Sequence, residues 1–86
     1  MSYHVYLMPA AQRQLRNLPR HIQPQILQMI KALQVTPRPD GARPYKGLPH
    51  GYRLRYRDYR IIYQVDDGDR SVAVIRIGNR RDVYRS

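Results

Sequence analysis

Apolar and polar positions repeat in two different rhythms along this chain, and the rhythm changes near residue 40, from helical spacing before it to strand alternation after it. Tyr3-His4-Val5-Tyr6-Leu7 is short and rich in strand-forming residues, and Pro9 ends the run, so a first strand is predicted over His4 to Met8. Pro9 suits the first turn of a following helix, where its missing N–H has no intrahelical partner to lose. From Ala10 to Leu18 the apolar residues Ala11, Leu15 and Leu18 recur at helical spacing, opposite Gln12, Arg13 and Arg16, until Pro19 closes the segment. Ile22, Ile26, Met29, Ile30 and Leu33 form a second apolar stripe. A helix starting at Arg20 would lose a hydrogen bond at Pro24, whereas a start near Gln23 puts that proline harmlessly in the first turn. The two segments read as an αα-hairpin.

Val35 to Pro44 carries three prolines and a glycine and is read as a connector within a single domain spanning 1–86, the second half being too small to stand alone. Beyond it the pattern predicts a β-hairpin: Tyr52 to Tyr56, a tight Arg57-Asp58 turn, and Tyr59 to Val65. If Tyr56 pairs with Tyr59, Arg55 faces Arg60 and Arg53 faces Ile62 on one side of the sheet, because side chains alternate with period two. Leu54, Tyr56, Ile61, Tyr63 and Val65 then share the other side, the natural wall for the helical stripes, and the first side is expected to be solvent-facing and cationic. Asp66-Asp67-Gly68-Asp69 makes the next turn, and Ser71 to Ile77 the following strand.

Charge sharpens this picture. The net charge is +10, from sixteen Lys and Arg against six acids, all of them Asp, and eleven of the sixteen cations follow Gly41. Fourteen are Arg, whose planar fork binds phosphate bidentately and stacks on bases, so a polyanion such as nucleic acid is the expected partner. Arginines directly opposite one another on neighbouring strands repel by roughly 0.2–1 kcal/mol, and a sequence that keeps them has a use for them; the plainer alternative is a solvated sheet face. The aromatic complement is eight Tyr with no Phe or Trp, and tyrosines between arginines favour the binding reading, since aromatic faces stack bases.

Other chemistries find little support. Cysteine is absent, which excludes a disulfide framework, a thiolate nucleophile and a Cys-based zinc site. His4, His21 and His50 are scattered and serine occurs only at 2, 71 and 86, so no Ser-His-Asp set is suggested. The aspartates near Gly68 lack the spacing of a calcium loop and are explained by a turn. No apolar run is long enough to span a bilayer, and the start of the chain lacks a secretory pattern, so no membrane association is expected and the expected location is the cytoplasm.

Four blocks carry a family resemblance: Lys46-Gly47-Leu48-Pro49, Tyr52-Arg53-Leu54-Arg55, Tyr59-Arg60-Ile61-Ile62-Tyr63, and Ile77-Gly78-Asn79-Arg80-Arg81-Asp82-Val83-Tyr84. Over essentially its whole length the chain resembles the RelE branch of the RelE/ParE toxins. The resemblance implies an α+β fold, with an N-terminal strand and a helical hairpin packed on one face of a roughly four-stranded antiparallel sheet. It implies a toxin of a type II toxin-antitoxin system whose concave basic face enters the ribosomal A site and cuts mRNA. The implied reaction is attack of a ribose 2′-hydroxyl on the adjacent phosphate, without metal or other cofactor.

By the same resemblance Arg60 clamps the scissile phosphate, Arg80 stabilises the transition state or protonates the leaving oxygen, and Tyr84 is the general base. Lys46 holds the RNA backbone or ribosome. Arg53 and Arg55 stand where well-studied members have lysine; a guanidinium with a pKa above about 12 is a poor proton acceptor, so these two are assigned to phosphorane stabilisation and RNA grip. A tyrosine of intrinsic pKa ~10 among arginines is drawn towards ionisation, which suits Tyr84 as base; packing at the sheet edge or stacking on a base is its plainer role. Arg57 and Arg81 are assigned to RNA, ribosome or partner contact. No C-terminal helix is expected after Tyr84. The implied partners are the ribosome, mRNA and an acidic, helical antitoxin segment, in a hetero-oligomeric complex. Two alternatives share this surface: a ParE-like inhibitor of DNA gyrase without catalysis, and a non-catalytic RNA- or ribosome-binding module.

Overall fold

Pro9 and Pro24 set where the two helices begin. In the computed structural model, which describes residues 2–79, strand β1 (His4–Leu7) leads into helix α1 (Pro9–Arg16), and helix α2 spans Gln23–Ala32. Both prolines fall in the first helical turn, as the spacing predicts. α1 ends two residues before Leu18, on Asn17, whose N–H bonds back to the Arg13 and Gln14 carbonyls. The Gln23 side chain then donates to the Arg16 and Leu18 carbonyls at 3.1 and 2.7 Å, tying the start of α2 to the unsatisfied end of α1. Among the described residues no helix is long and apolar enough to cross a membrane.

The remaining strands are β2 (Arg43–Pro44), β3 (Gly51–Tyr56), β4 (Tyr59–Asp66) and β5 (Ser71–Asn79). They form one sheet in the order β1-β5-β4-β3-β2. β2 to β5 are antiparallel to their neighbours, but β1 runs parallel to β5, with Val5 beside Val72 and Leu7 beside Val74. The sheet is therefore five-stranded and mixed, where the resemblance implied about four antiparallel strands. A parallel pair needs a long crossover, and the helical hairpin begins the one that separates β1 from β5. β2 is two residues long inside the proline-rich connector; Pro44 is tolerated because the strand lies at the sheet edge.

Strand alternation decides the core. Leu54, Ile61, Tyr63, Val65, Val72, Val74 and Ile77 point to the helix side and pack with Ala11, Leu18, Ile22, Ile26, Ile30 and Leu33. Each fully buried aliphatic side chain contributes about 1.5–3 kcal/mol relative to exposure. Polar groups at this side are answered: the Tyr63 hydroxyl donates to the Pro37 carbonyl at 2.8 Å, and burial pushes its pKa up to about 12. Past Val74, β5 has outrun β1, and the Gln14 side chain of α1 accepts the Ile77 N–H at 2.7 Å. The connector is fastened at Arg38, which pairs with Asp67 at 2.7 Å and donates to the Tyr52 hydroxyl at 2.9 Å, while Tyr3 donates to the same carboxylate at 2.7 Å. These bonds hold Asp67 below the usual carboxylate range.

Candidate nucleic-acid interface

The side of the sheet away from the helices is organised in rows that cross the strands. Tyr56 pairs with Tyr59 across the turn, so Arg55 faces Arg60 and Arg53 faces Ile62, the register that the sequence predicts. Arg57 sits in that turn with φ 54, the left-handed conformation that two-residue hairpin turns require, and its guanidinium lies 5.6 Å from the Tyr56 ring centre. One row holds Arg55, Arg60 and Gly78; the next holds Arg43, Arg53, Ile62 and Arg76. Two arginine pairs, Arg55 with Arg60 and Arg43 with Arg53, thus occupy facing positions, with Cα atoms about 5 Å apart. Farther along, Gln64 and Ala73 pair, with Tyr6 beside Ala73, and then Asp66 with Ser71, so the face runs from strongly basic to acidic.

Arg43 and Arg76 are site members that the sequence pattern did not single out. In an unbroken strand Arg76 would share the side of Val72 and Val74, the core. A bulge between the Tyr63–Val74 and Ile62–Arg76 pairs places one extra residue, Ile75, in β5 and shifts the phase. Arg76 is thereby delivered to the basic side and Ile77 returned to the core. A charged residue breaking the alternation of Ser71-Val-Ala-Val-Ile-Arg-Ile is the available signal. Arg43 was concealed by the prolines around it.

The sequence pattern predicts a solvent-facing cationic side, but the structure buries part of it. Arg60 is only 6% exposed and Ile62 only 2%. The Tyr45–His50 turn lies against this side, with the Gln64 side chain donating to the Pro49 carbonyl at 2.8 Å. Gly51 permits the approach, since a Cβ there would stand 2.7 Å from the Leu48 Cβ. Arg60 has one long contact, 3.5 Å to the Tyr59 carbonyl, and no carboxylate of the described residues pairs with it. A guanidinium removed from water without a counter-charge costs stability, and an anionic ligand offsets that cost.

Where β2 stops, the edge of β3 opens into a cleft of about 410 Å³. Arg43, Arg53, Arg55 and Arg60 line it with Met29, Leu54 and the Asp40-Gly41 corner. The structure thus brings three predicted residues, Arg53, Arg55 and Arg60, to one cleft. Lys46 is exposed in the neighbouring turn and Arg57 at the hairpin tip, neither of them lining that cleft. Arg80, Arg81 and Tyr84 lie outside the described residues. Four arginines converging beside one carboxylate suit a phosphodiester: they neutralise its oxygens and stabilise added negative charge at phosphorus.

Comparison with known proteins identifies the family and the fold. Residues 5–84 match the family described as ParE toxin of type II toxin-antitoxin system. The chain is 32% identical over 84 residues to a protein named Toxin RelE from Mycobacterium tuberculosis, covering 96% of this chain and 87% of that one. It is 29% identical to Toxin RelG of the same organism, over 99% of both. Its fold superposes on one chain in the crystal structure of the RelBE2 toxin-antitoxin complex of M. tuberculosis with a TM-score of 0.79 at 25% identity, covering 92% of this chain and 99% of that one. The chain belongs to the RelE/ParE superfamily of toxins of type II toxin-antitoxin systems.

Proposed function

We propose that this toxin is a ribosome-dependent, metal-independent endoribonuclease that cleaves mRNA in the A site and so inhibits translation. The observation that carries the reading is the buried guanidinium of Arg60, which has no carboxylate partner among the described residues and lines a cleft with Arg43, Arg53 and Arg55. A gyrase inhibitor needs no such group, and the named relatives are RelE and RelG toxins. The nucleophile belongs to the RNA, so the protein has only to align the 2′-hydroxyl, move two protons and offset charge at phosphorus. Arg60 holds the non-bridging oxygens, and Arg53 and Arg55 stabilise the phosphorane. Tyr84 takes the 2′-hydroxyl proton as the new P–O bond forms. The bond to the 5′-oxygen then breaks, that oxygen is protonated with the help of Arg80, and the products are a 2′,3′-cyclic phosphate and a 5′-hydroxyl. Lys46, Arg57 and Arg81 grip RNA or ribosome.

The same charge calls for a keeper. We assign to it an acidic, helical antitoxin segment in a hetero-oligomer, in line with the toxin-antitoxin complex one of whose chains has this fold, and a cytoplasmic site of action. The test is cleavage of a short mRNA on ribosomes with an empty A site, with the RNA ends mapped and free RNA as control. Ribosome-dependent cuts ending in cyclic phosphate, greatly slowed in Arg80→Ala and Tyr84→Phe, are expected. A folded wild type that leaves mRNA intact would sink the nuclease reading and make gyrase inhibition the next assay.

A further inference from the structure

Beside the arginine rows lies a second recess, of about 300 Å³, between β4, β5 and the Tyr45–His50 turn. Ile62, Ile75 and Leu48 give it apolar walls, the Tyr45 ring an aromatic one, and Arg76 the single charge among the described residues. Gly47 makes the aromatic wall possible: a Cβ at that position would stand 2.7 Å from Cε2 and 3.2 Å from Cζ of the Tyr45 ring. Arg76 is half-buried and makes no hydrogen bond or ion pair with a described residue, which leaves its five donors available.

We propose that this recess seats one nucleobase of the RNA strand whose neighbouring phosphate is held by Arg60 and Arg53, with Tyr45 stacking on the base and Arg76 hydrogen-bonding its edge. The inference rests on the RNA-binding reading above and adds the part of the substrate that the arginine cleft does not engage. Position argues for it: Ile62 faces Arg53 on one side and Arg76 on the other, so the recess adjoins the phosphate-binding row within about one strand spacing, ~5 Å. Chemistry argues for it too, since an aromatic face, aliphatic walls and one planar donor fork recognise a flipped-out base. The recess lies at the low end of ligand-pocket volumes, which suits a single planar heterocycle. Among the described residues its lining contains no carboxylate to repel a phosphate-bearing strand.

The test is anisotropy of a labelled single-stranded RNA, made uncleavable by 2′-deoxy substitution and scanned with one abasic position at a time. Wild type should lose about 10-fold in affinity at one position. Tyr45→Leu, which keeps apolar bulk, and Gly47→Ala, which displaces the ring, should bind intact RNA about that much more weakly and no longer sense the missing base. Tyr45→Phe should restore the response. Arg76→Lys, which keeps the charge, should retain salt-dependent binding but blunt the response. Unchanged binding by folded Tyr45→Leu, or indifference of wild type to every abasic position, overturns the proposal. Base-dependent binding without cleavage on ribosomes would remove the proposed reaction and leave the recess; cleavage with base-independent binding would do the reverse.

Discussion

Arg60 and Ile61 are neighbours in β4, both withdrawn from water, and they look out on opposite worlds. Ile61 faces the helices among aliphatic side chains, where the nearby Tyr63 hydroxyl finds the Pro37 carbonyl. Arg60 faces the other way, opposite Arg55 and one row from Arg53 and Arg76, with no described carboxylate to answer it. One side of the sheet is arranged for folding. The other carries facing like charges, Arg55 opposite Arg60 and Arg43 opposite Arg53, an arrangement that costs folding energy and that the proposed RNA ligand would offset.

The contrast yields opposite expectations for adjacent residues. Arg60→Ala should lower the rate of mRNA cleavage by about 10²–10³-fold, the loss typical of one oxyanion-stabilising donor. Its melting temperature should stay level or rise, because a buried charge with no carboxylate partner among the described residues is removed. Ile61→Ala should cost about 2–5 kcal/mol of stability, read by thermal unfolding, with activity per folded molecule retained. A drop in stability for Arg60→Ala matching that of Ile61→Ala would erase the distinction between the sides.

Two smaller effects sharpen it through pH. The Tyr63 pKa is raised to about 12 by burial, so the folded state keeps this proton after the unfolded chain has lost it. Its contribution is fully present below the unfolded value near 10 and is lost as pH rises through about 12. Tyr63→Phe should flatten the alkaline fall in stability, while losing the bond to Pro37, worth about 1 kcal/mol at neutral pH. Asp67 works in the opposite sense. Its lowered pKa gives stability that is present above the unfolded value and lost as pH falls through the folded one, so Asp67→Asn should show a shallower acid transition than wild type. Denaturant midpoints across pH would check both.

Much of this was legible in the residues because the constraints are local. Period-two alternation and a two-residue turn fix the register at Tyr56–Tyr59, and with it the side on which Arg53, Arg55 and Arg60 stand. Pro24 likewise fixes the start of α2. What escaped depends on distant partners. Nothing within His4–Leu7 says that its neighbour is β5 or that they run parallel. The bulge at Ile75 arises in the pairing of two strands, so the side taken by Arg76 cannot be counted from alternation within β5 alone. The two-residue β2 exists only because β3 offers an edge to Arg43 and Pro44. The low exposure of Arg60 and Ile62, too, is a product of tertiary packing, not of either residue's character.

The most direct test of the central claim is paired on one variant: cleavage of A-site mRNA and thermal unfolding of Arg60→Ala beside wild type. Wild type should give cuts ending in 2′,3′-cyclic phosphate, slowed by about 10²–10³-fold in the variant, with no fall in melting temperature. Undiminished cleavage by Arg60→Ala, or a loss of activity explained by unfolding, would contradict it.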